Sequence, residues 1–222
     1  MTDDAGQTGF VKRLHEISSN LDDRRRGLAL YAAAIALADS KAQNFLLSER
    51  ARFGATREAF YEVVLQSYLF LGFPRMLSAV EQLAAVLPSE SDPPKLEAVM
   101  PEEGRRWFED GMNLCRGVYG RNYEALRGRV ESWAPEIFRW MIIEGYGKVL
   151  SRPTLDIQTR ELAIVATLVV ENYLPQLLSH IKGAINVGVD LESVGSVVAD
   201  LGPGIGPGYG AAMKILRQLE RG

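Results

Sequence analysis

Apolar residues recur every three or four positions through most of the chain and almost nowhere every second position. That spacing predicts α-helices and leaves little room for strands or hairpins. "RRGLALYAAAIALADS" and "TRELAIVATLVVEN" are rich in Ala and Leu and too long for ordinary strands. "TREAFYEVVLQSYLFLGFP" sets Phe60, Val63, Val64, Ser67 and Tyr68 at amphipathic spacing, with a stop expected at Gly72-Phe73-Pro74. "RRWFEDGMNLCRGVYG" and "PEIFRWMIIEGYGKVL" carry aromatic residues three or four apart, with Gly120 and Gly147 as expected stops. "LPSESDPPKLEAVMPEE", with four prolines and many charges, reads as a linker. The expectation is an all-α bundle: a flexible segment over 1–15, a first helical unit over 16–85, a linker over 86–101 and a second unit over 102–222.

The two units align with each other. With "RGLALYAAAIALADSKAQNFLLSERARFGATREAFYEVV" written over "RELAIVATLVVENYLPQLLSHIKGAINVGVDLESVGSVV", Arg26 falls on Arg160, and 160 − 26 = 134. Without a gap, Gly54 then meets Gly188, Glu58 meets Glu192, Val63 meets Val197 and Gly72 meets Gly206. A constant offset that matches glycines as well as apolar positions argues for a tandem duplicated helical repeat. Such a unit is expected to bury its apolar face against its own copy, as a pseudo-symmetric pair.

Composition narrows the classes. Of 222 residues, 47% are hydrophobic, enough for a sizeable core. A net charge of −3 gives no general attraction to nucleic acid or to an anionic membrane. The run Arg24-Arg25-Arg26 lies beside Asp22 and Asp23 and reads as a solvated helix start. Cys115, the only cysteine, excludes an internal disulfide and suits a reducing compartment. "MTDDAGQTG" lacks the features of a secretory signal, and no apolar run approaches the roughly 20 residues of a membrane span. A cytoplasmic protein with no nucleic-acid or membrane partner is expected.

"LLSHIKGAINVG" raises the candidate chemistry, because His180 stands among Leu177, Leu178, Ile181, Ala184, Ile185 and Val187. Its helical neighbours are Gln176 at i−4, Gly183 at i+3 and Ala184 at i+4. Two small side chains leave an open space in which Gln176 could hydrogen-bond, the floor of a pocket. An imidazole with a reference pKa of about 6.5 suits general acid–base work there; the alternative is a satisfied core histidine. The first repeat has Leu46 at the equivalent place, and His15, in the polar N-terminal segment, reads as a surface residue. The loop "GPGIGPGYG" is not a phosphate cradle: no strand precedes it, and Pro203 and Pro207 lack the backbone donors. It is expected to end a helix and shape a loop over the pocket or an interface. A histidine without partners at i+3 or i+4 gives no metal site. Neither metal nor cofactor is expected.

"GMNLCRGVYGRNY", "GYGKVLSRPTLDIQTRELAIVATLVV" and "QLLSHIKGAINVGV" together resemble the carboxymuconolactone decarboxylase family, an alkylhydroperoxidase-like helical superfamily, over roughly 104–201. "GATREAFYEVVLQSYLFLGFP" resembles the same core repeat more distantly. The resemblance implies a ring of six repeats, hence a homotrimer forming a pseudo-hexamer. It also implies a cofactor-free lyase, decarboxylase or isomerase acting on a small carboxylated lactone or related acid. His180 would be its general acid/base, with Glu161 of Thr-Arg-Glu-Leu orienting it or relaying protons. If the chain reverses near Tyr173 to Pro175, however, a rise of about 1.5 Å per residue separates the two heights by roughly 10 Å.

Arg152 and Arg160 are candidate clamps for the substrate carboxylate, or structural ion pairs. The first repeat retains Glu62, Gln66, Gly72 and Pro74 where the second departs with Ser193, Ser196 and the glycine loop. A composite pocket, His180 facing Glu62, is one consequence; decay of a redundant copy is the other. Tyr146 and Leu150 replace the family's tryptophans, which points to a changed substrate. The CxxC pair of peroxide-reducing relatives would fall on Tyr173 and Gln176, so that route is closed. The alternative to an enzyme is a non-catalytic oligomeric scaffold or ligand-binding protein.

Overall fold

The computed structural model describes residues 10, 21–90 and 98–221. Apart from Phe10, which is buried in the core, the expected flexible segment with His15 falls outside the described residues, as does the middle of the expected linker. The chain is all-helical throughout what is described.

The first unit contains α1 (Asp23–Ala36), α2 (Ser40–Ser48) and α3 (Arg57–Val86). Each start is capped by a side chain that accepts a free amide of the first turn: Asp22 from Arg25, Asp39 from Ala42 and Thr56 from Ala59. Every residue of α1 from Arg26 to Ala36 is buried, so α1 is a core helix with no polar face over that span. The expected stop at Gly72 is a break instead. Gly72 leaves helical geometry (φ 75°, ψ 167°), and the helix resumes with Pro74 near its new start, where a missing N–H does little harm. Beyond the break Phe73 and Leu77 are exposed. Contrary to the sequence expectation, α3 is long and apolar enough to cross a membrane, and 28% of its apolar window is buried.

The second unit begins with α4 (Pro101–Tyr119), a tight turn over Gly120–Asn122, α5 (Tyr123–Trp133), α6 (Pro135–Trp140) and a π-helical segment over Met141–Leu150. Gly120, with φ 52°, ends α4 as expected. Gly147 is no stop but a point of close approach. A Cβ there would lie 1.8 Å from the Trp107 carbonyl oxygen, and one at Gly111 would lie 2.1 Å from that of Ile142. The backbones of α4 and the π-helical segment therefore touch directly.

The chain ends with α7 (Ile157–Glu171), α8 (Leu174–Asn186), α9 (Leu191–Leu201), a turn over Pro203–Ile205 and α10 (Pro207–Leu219). These helices start at a fixed distance from those of the first unit: 157 − 23, 174 − 40 and 191 − 57 all equal 134. Asp156 and Asp190 cap as Asp22 and Thr56 do. Ala38 and Asn172, also 134 apart, are the non-glycine residues with positive φ, at 55° and 56°, among the described residues. The glycine loop follows α9 directly. It breaks α9 from α10, and Gly208 lets α10 touch α7, since a Cβ there would lie 1.8 Å from the Val169 carbonyl oxygen.

α1 and α7 pack against each other at the centre. Arg26 donates to the Leu21 carbonyl oxygen and pairs with Asp200 of α9 at 3.5 Å. Arg160 donates to the Leu155 carbonyl oxygen and to Gln66 of α3 at 3.3 Å. Since 200 − 66 = 134, each unit reaches the other through equivalent positions, the reciprocity of a two-fold interface. The arginine run is accordingly not a solvated helix start: Arg26 is buried, and Arg24 and Arg25 reach across to Asp156.

Candidate functional site

Asn172 sets the geometry of the site. Its left-handed conformation (φ 56°, ψ 35°) closes α7 and turns the chain into α8. Glu161 lies 172 − 161 = 11 residues before this reversal and His180 lies 180 − 172 = 8 after it. The heights of the two therefore differ by about 4.5 Å, within reach of two side chains. The expected separation of roughly 10 Å came from placing the reversal too late. His180 Nδ1 lies 2.8 Å from Glu161 Oε2.

Both groups are withdrawn from water, Glu161 completely and His180 with 7% exposure. A carboxylate accepts, so Nδ1 carries the hydrogen and Nε2 is the edge left to exchange a proton. Phe70, from α3 of the first unit, meets the imidazole edge-on at 5.5 Å between ring centres. The space expected beside Gly183 is filled. A Cβ there would lie 2.8 Å from Val118 Cγ1 and 3.2 Å from Glu161 Oε2. Gly183 is small so that Glu161 fits. In the first unit the equivalent residue of Glu161 is Gly27 (161 − 134), where the Phe53 ring occupies the room.

Glu161 Oε1 is buried and has no hydrogen-bond partner among the described residues. Cys115, Tyr119 and Tyr146 lie within reach of its charge. Burial pushes the Cys115 thiol up to about 12; the Arg116 charge opposes that rise, and the Glu161 charge adds a smaller push upward. Burial likewise raises both tyrosines, Tyr146 the more strongly. All three therefore stay protonated at neutral pH.

The remaining candidates lie elsewhere. Gln176 is exposed in the first turn of α8 and hydrogen-bonds nothing among the described residues, so it is no partner of His180. Glu62 does not face the imidazole. Its carboxylate accepts from Arg152 Nε at 3.0 Å on both oxygens and from Arg160 at 2.8 Å. The two arginines thus clamp the chain's own carboxylate rather than a substrate's. Arg160 is fully buried, and burial pulls its guanidinium downward against the opposing pull of Glu62. Phe70, Val118 and Tyr119 escaped sequence reasoning because nothing local marks them; only the break at Gly72 hinted that α3 bends there. Among the described residues no group of three or more His, Cys, Asp or Glu side chains could hold a metal ion.

No family model matches the chain. It is similar to Peroxisomal protein 2 of Saccharomyces cerevisiae, 24% identical over 163 residues that cover 62% of this chain and 57% of the relative. It is also similar to Peroxisomal protein 2 of Schizosaccharomyces pombe, 26% identical over 139 residues that cover 60% of this chain and 62% of the relative. The chain thus spans about 57–62% of the length of the curated relatives it matches. These findings overturn the carboxymuconolactone decarboxylase reading, and with it the lactone substrate, the decarboxylase or lyase activity and the place in aromatic catabolism. The motifs behind it are short, and an Ala- and Leu-rich helix pair repeats such residues for packing reasons alone. The cytoplasmic expectation falls with it, since both relatives are named as peroxisomal.

Proposed function

We propose that the chain is a proton-transfer catalyst of the peroxisome, with His180 as the proton-exchanging group and Glu161 as its orienting carboxylate. The 2.8 Å contact carries this reading. A buried carboxylate on Nδ1 fixes the tautomer and ring orientation and stabilises the imidazolium that forms when Nε2 takes a proton. Phe70 packs edge-on against the imidazole and both members of the pair are buried, which strengthens the interaction. The names of the two relatives support the compartment. The test is solvent-deuterium exchange into a panel of carbonyl carbon acids, with wild type, His180→Gln and Glu161→Gln. Exchange abolished by the first substitution and reduced by about 10²–10⁴-fold by the second supports the assignment; exchange indifferent to both rejects it.

Self-association is part of this proposal. The half of α3 beyond Gly72 exposes Phe73 and Leu77 and continues the helix that carries Phe70 to the imidazole. A second copy is its occupant. Sedimentation of wild type against Phe73→Glu/Leu77→Glu reads this directly: a smaller species in the variant is expected, and a monomeric wild type refutes it.

A non-catalytic helical scaffold is the second reading. One observation favours it: the imidazole is nearly sealed, with 7% exposure. Absence of exchange across the panel, with oligomerisation intact, selects it.

A further inference from the structure

A cleft of about 200 Å³ opens between the end of α4, α5 and α8. On α8 it is lined by Ser179, Lys182 and Asn186, a stripe at three- and four-residue spacing. Lys182 stands about 200° round the helix from His180, so the cleft and the imidazole use opposite sides of α8. Val118 lines the cleft and also lies beside Gly183.

The composition of the cleft is uneven in a useful way. Arg129 of α5 and Lys182 bring two positive charges, and no carboxylate lines it. Among the described residues neither cation forms an ion pair; Arg129 rests over the Trp133 ring at 5.8 Å. Arg129 also acts on the half-buried Tyr119 hydroxyl, pulling against the rise that burial causes. Asn122 and Ser179 add neutral hydrogen-bonding groups at the rim. Leu126 and Leu178, with Val118, supply an apolar wall. Two unpaired cations above an apolar wall match one ligand chemistry, an anionic head on an apolar body. A planar guanidinium prefers a carboxylate in bidentate contact, and an ammonium adds a point charge. Inorganic phosphate would satisfy the cations but leave the half-buried Leu178 and the edge of Leu126 uncovered.

We propose that this cleft binds a small carboxylic acid with an apolar body, its carboxylate held by Arg129 and Lys182 and its body against Leu126 and Leu178. The inference does not rest on the proton-transfer reading, because the two cations and the two leucines that hold the ligand have no part in it. The test is a titration of the full chain with benzoate and hexanoate at physiological salt, followed by amide chemical shifts, with inorganic phosphate as an anion lacking an apolar body. Saturable shifts at Ser179, Lys182 and Asn186 are expected, with affinity falling at least about tenfold in Arg129→Gln/Lys182→Gln. Phosphate is expected to bind at least about tenfold more weakly than the acids. Both substituted side chains are exposed, so the variant should fold; should it fail to, the two single variants serve in its place. No saturation, an affinity unchanged by the substitutions, or phosphate binding as tightly as the acids overturns the proposal.

Discussion

Glu62 and Arg160 join the two helical units through a 2.8 Å ion pair with both side chains sealed from solvent. Burying such a pair costs desolvation that its own attraction roughly repays, whereas removing one partner leaves a charge with no compensation. Glu62→Leu is therefore expected to destabilise the chain by about 3–5 kcal/mol, and Glu62→Leu/Arg160→Met by markedly less. Chemical denaturation of the three proteins measures the difference. Equal losses for the single and double substitutions would show that the charges are not coupled.

Gly183 sets the spacing between Glu161 and its surroundings. An alanine there gains about 1 kcal/mol of helix propensity. Its methyl group meets Val118 at 2.8 Å and Glu161 at 3.2 Å, and overpacking costs about 1–3 kcal/mol. Gly183→Ala is expected to lower the melting temperature and to weaken the His180–Glu161 contact. The downfield Nδ1 proton resonance of His180 should move or vanish in the variant. An unshifted resonance would mean the carboxylate has room to yield.

Asp156 caps α7, accepts from Thr159 and faces Arg24 and Arg25. Burial works to raise its carboxyl, but the Thr159 amide and hydroxyl and the Arg25 charge outweigh it and hold the group below its ordinary value. A carboxyl lower in the folded state than near 3.9 in the unfolded chain stabilises fully above that value. The contribution fades as pH falls through the folded value. Asp156→Ala should cost about 1 kcal/mol at neutral pH through the lost cap, and the gap to wild type should close in acid. Melting curves from neutral to strongly acid pH check both statements; a gap that persists throughout would assign the loss to packing.

Cys115 is fully buried, with its thiol pushed up to about 12. The native protein should resist thiol reagents at pH 8 and react with one equivalent after unfolding. Rapid labelling of the native state would reveal frequent opening between α4 and α8.

Much of the helical framework was legible because burial repeats with the helical period: Phe60, Val63 and Val64 announce the inner face of α3. The 134-residue offset was equally open, since the glycines and capping residues obey it. Gly147 was misjudged because a glycine that ends a helix and one that lets two backbones touch look alike in a string of letters. The Glu161–His180 distance turned on Asn172. Asparagine tolerates the left-handed region, but nothing nearby announced that the reversal falls there. Which carboxylate Arg152 and Arg160 would hold depends on helices ninety or more residues apart, a relation that no local pattern carries.

The crossed contacts of Arg26 with Asp200 and of Arg160 with Gln66 mean that neither half possesses a finished interior. Each supplies what the other lacks, as two interlocked hands do. Severing the peptide chain between them would yield a pair of fragments with every reason to find one another again. In the intact chain the connection over residues 86–101 sets how fast the halves meet, while their facing surfaces decide what they become.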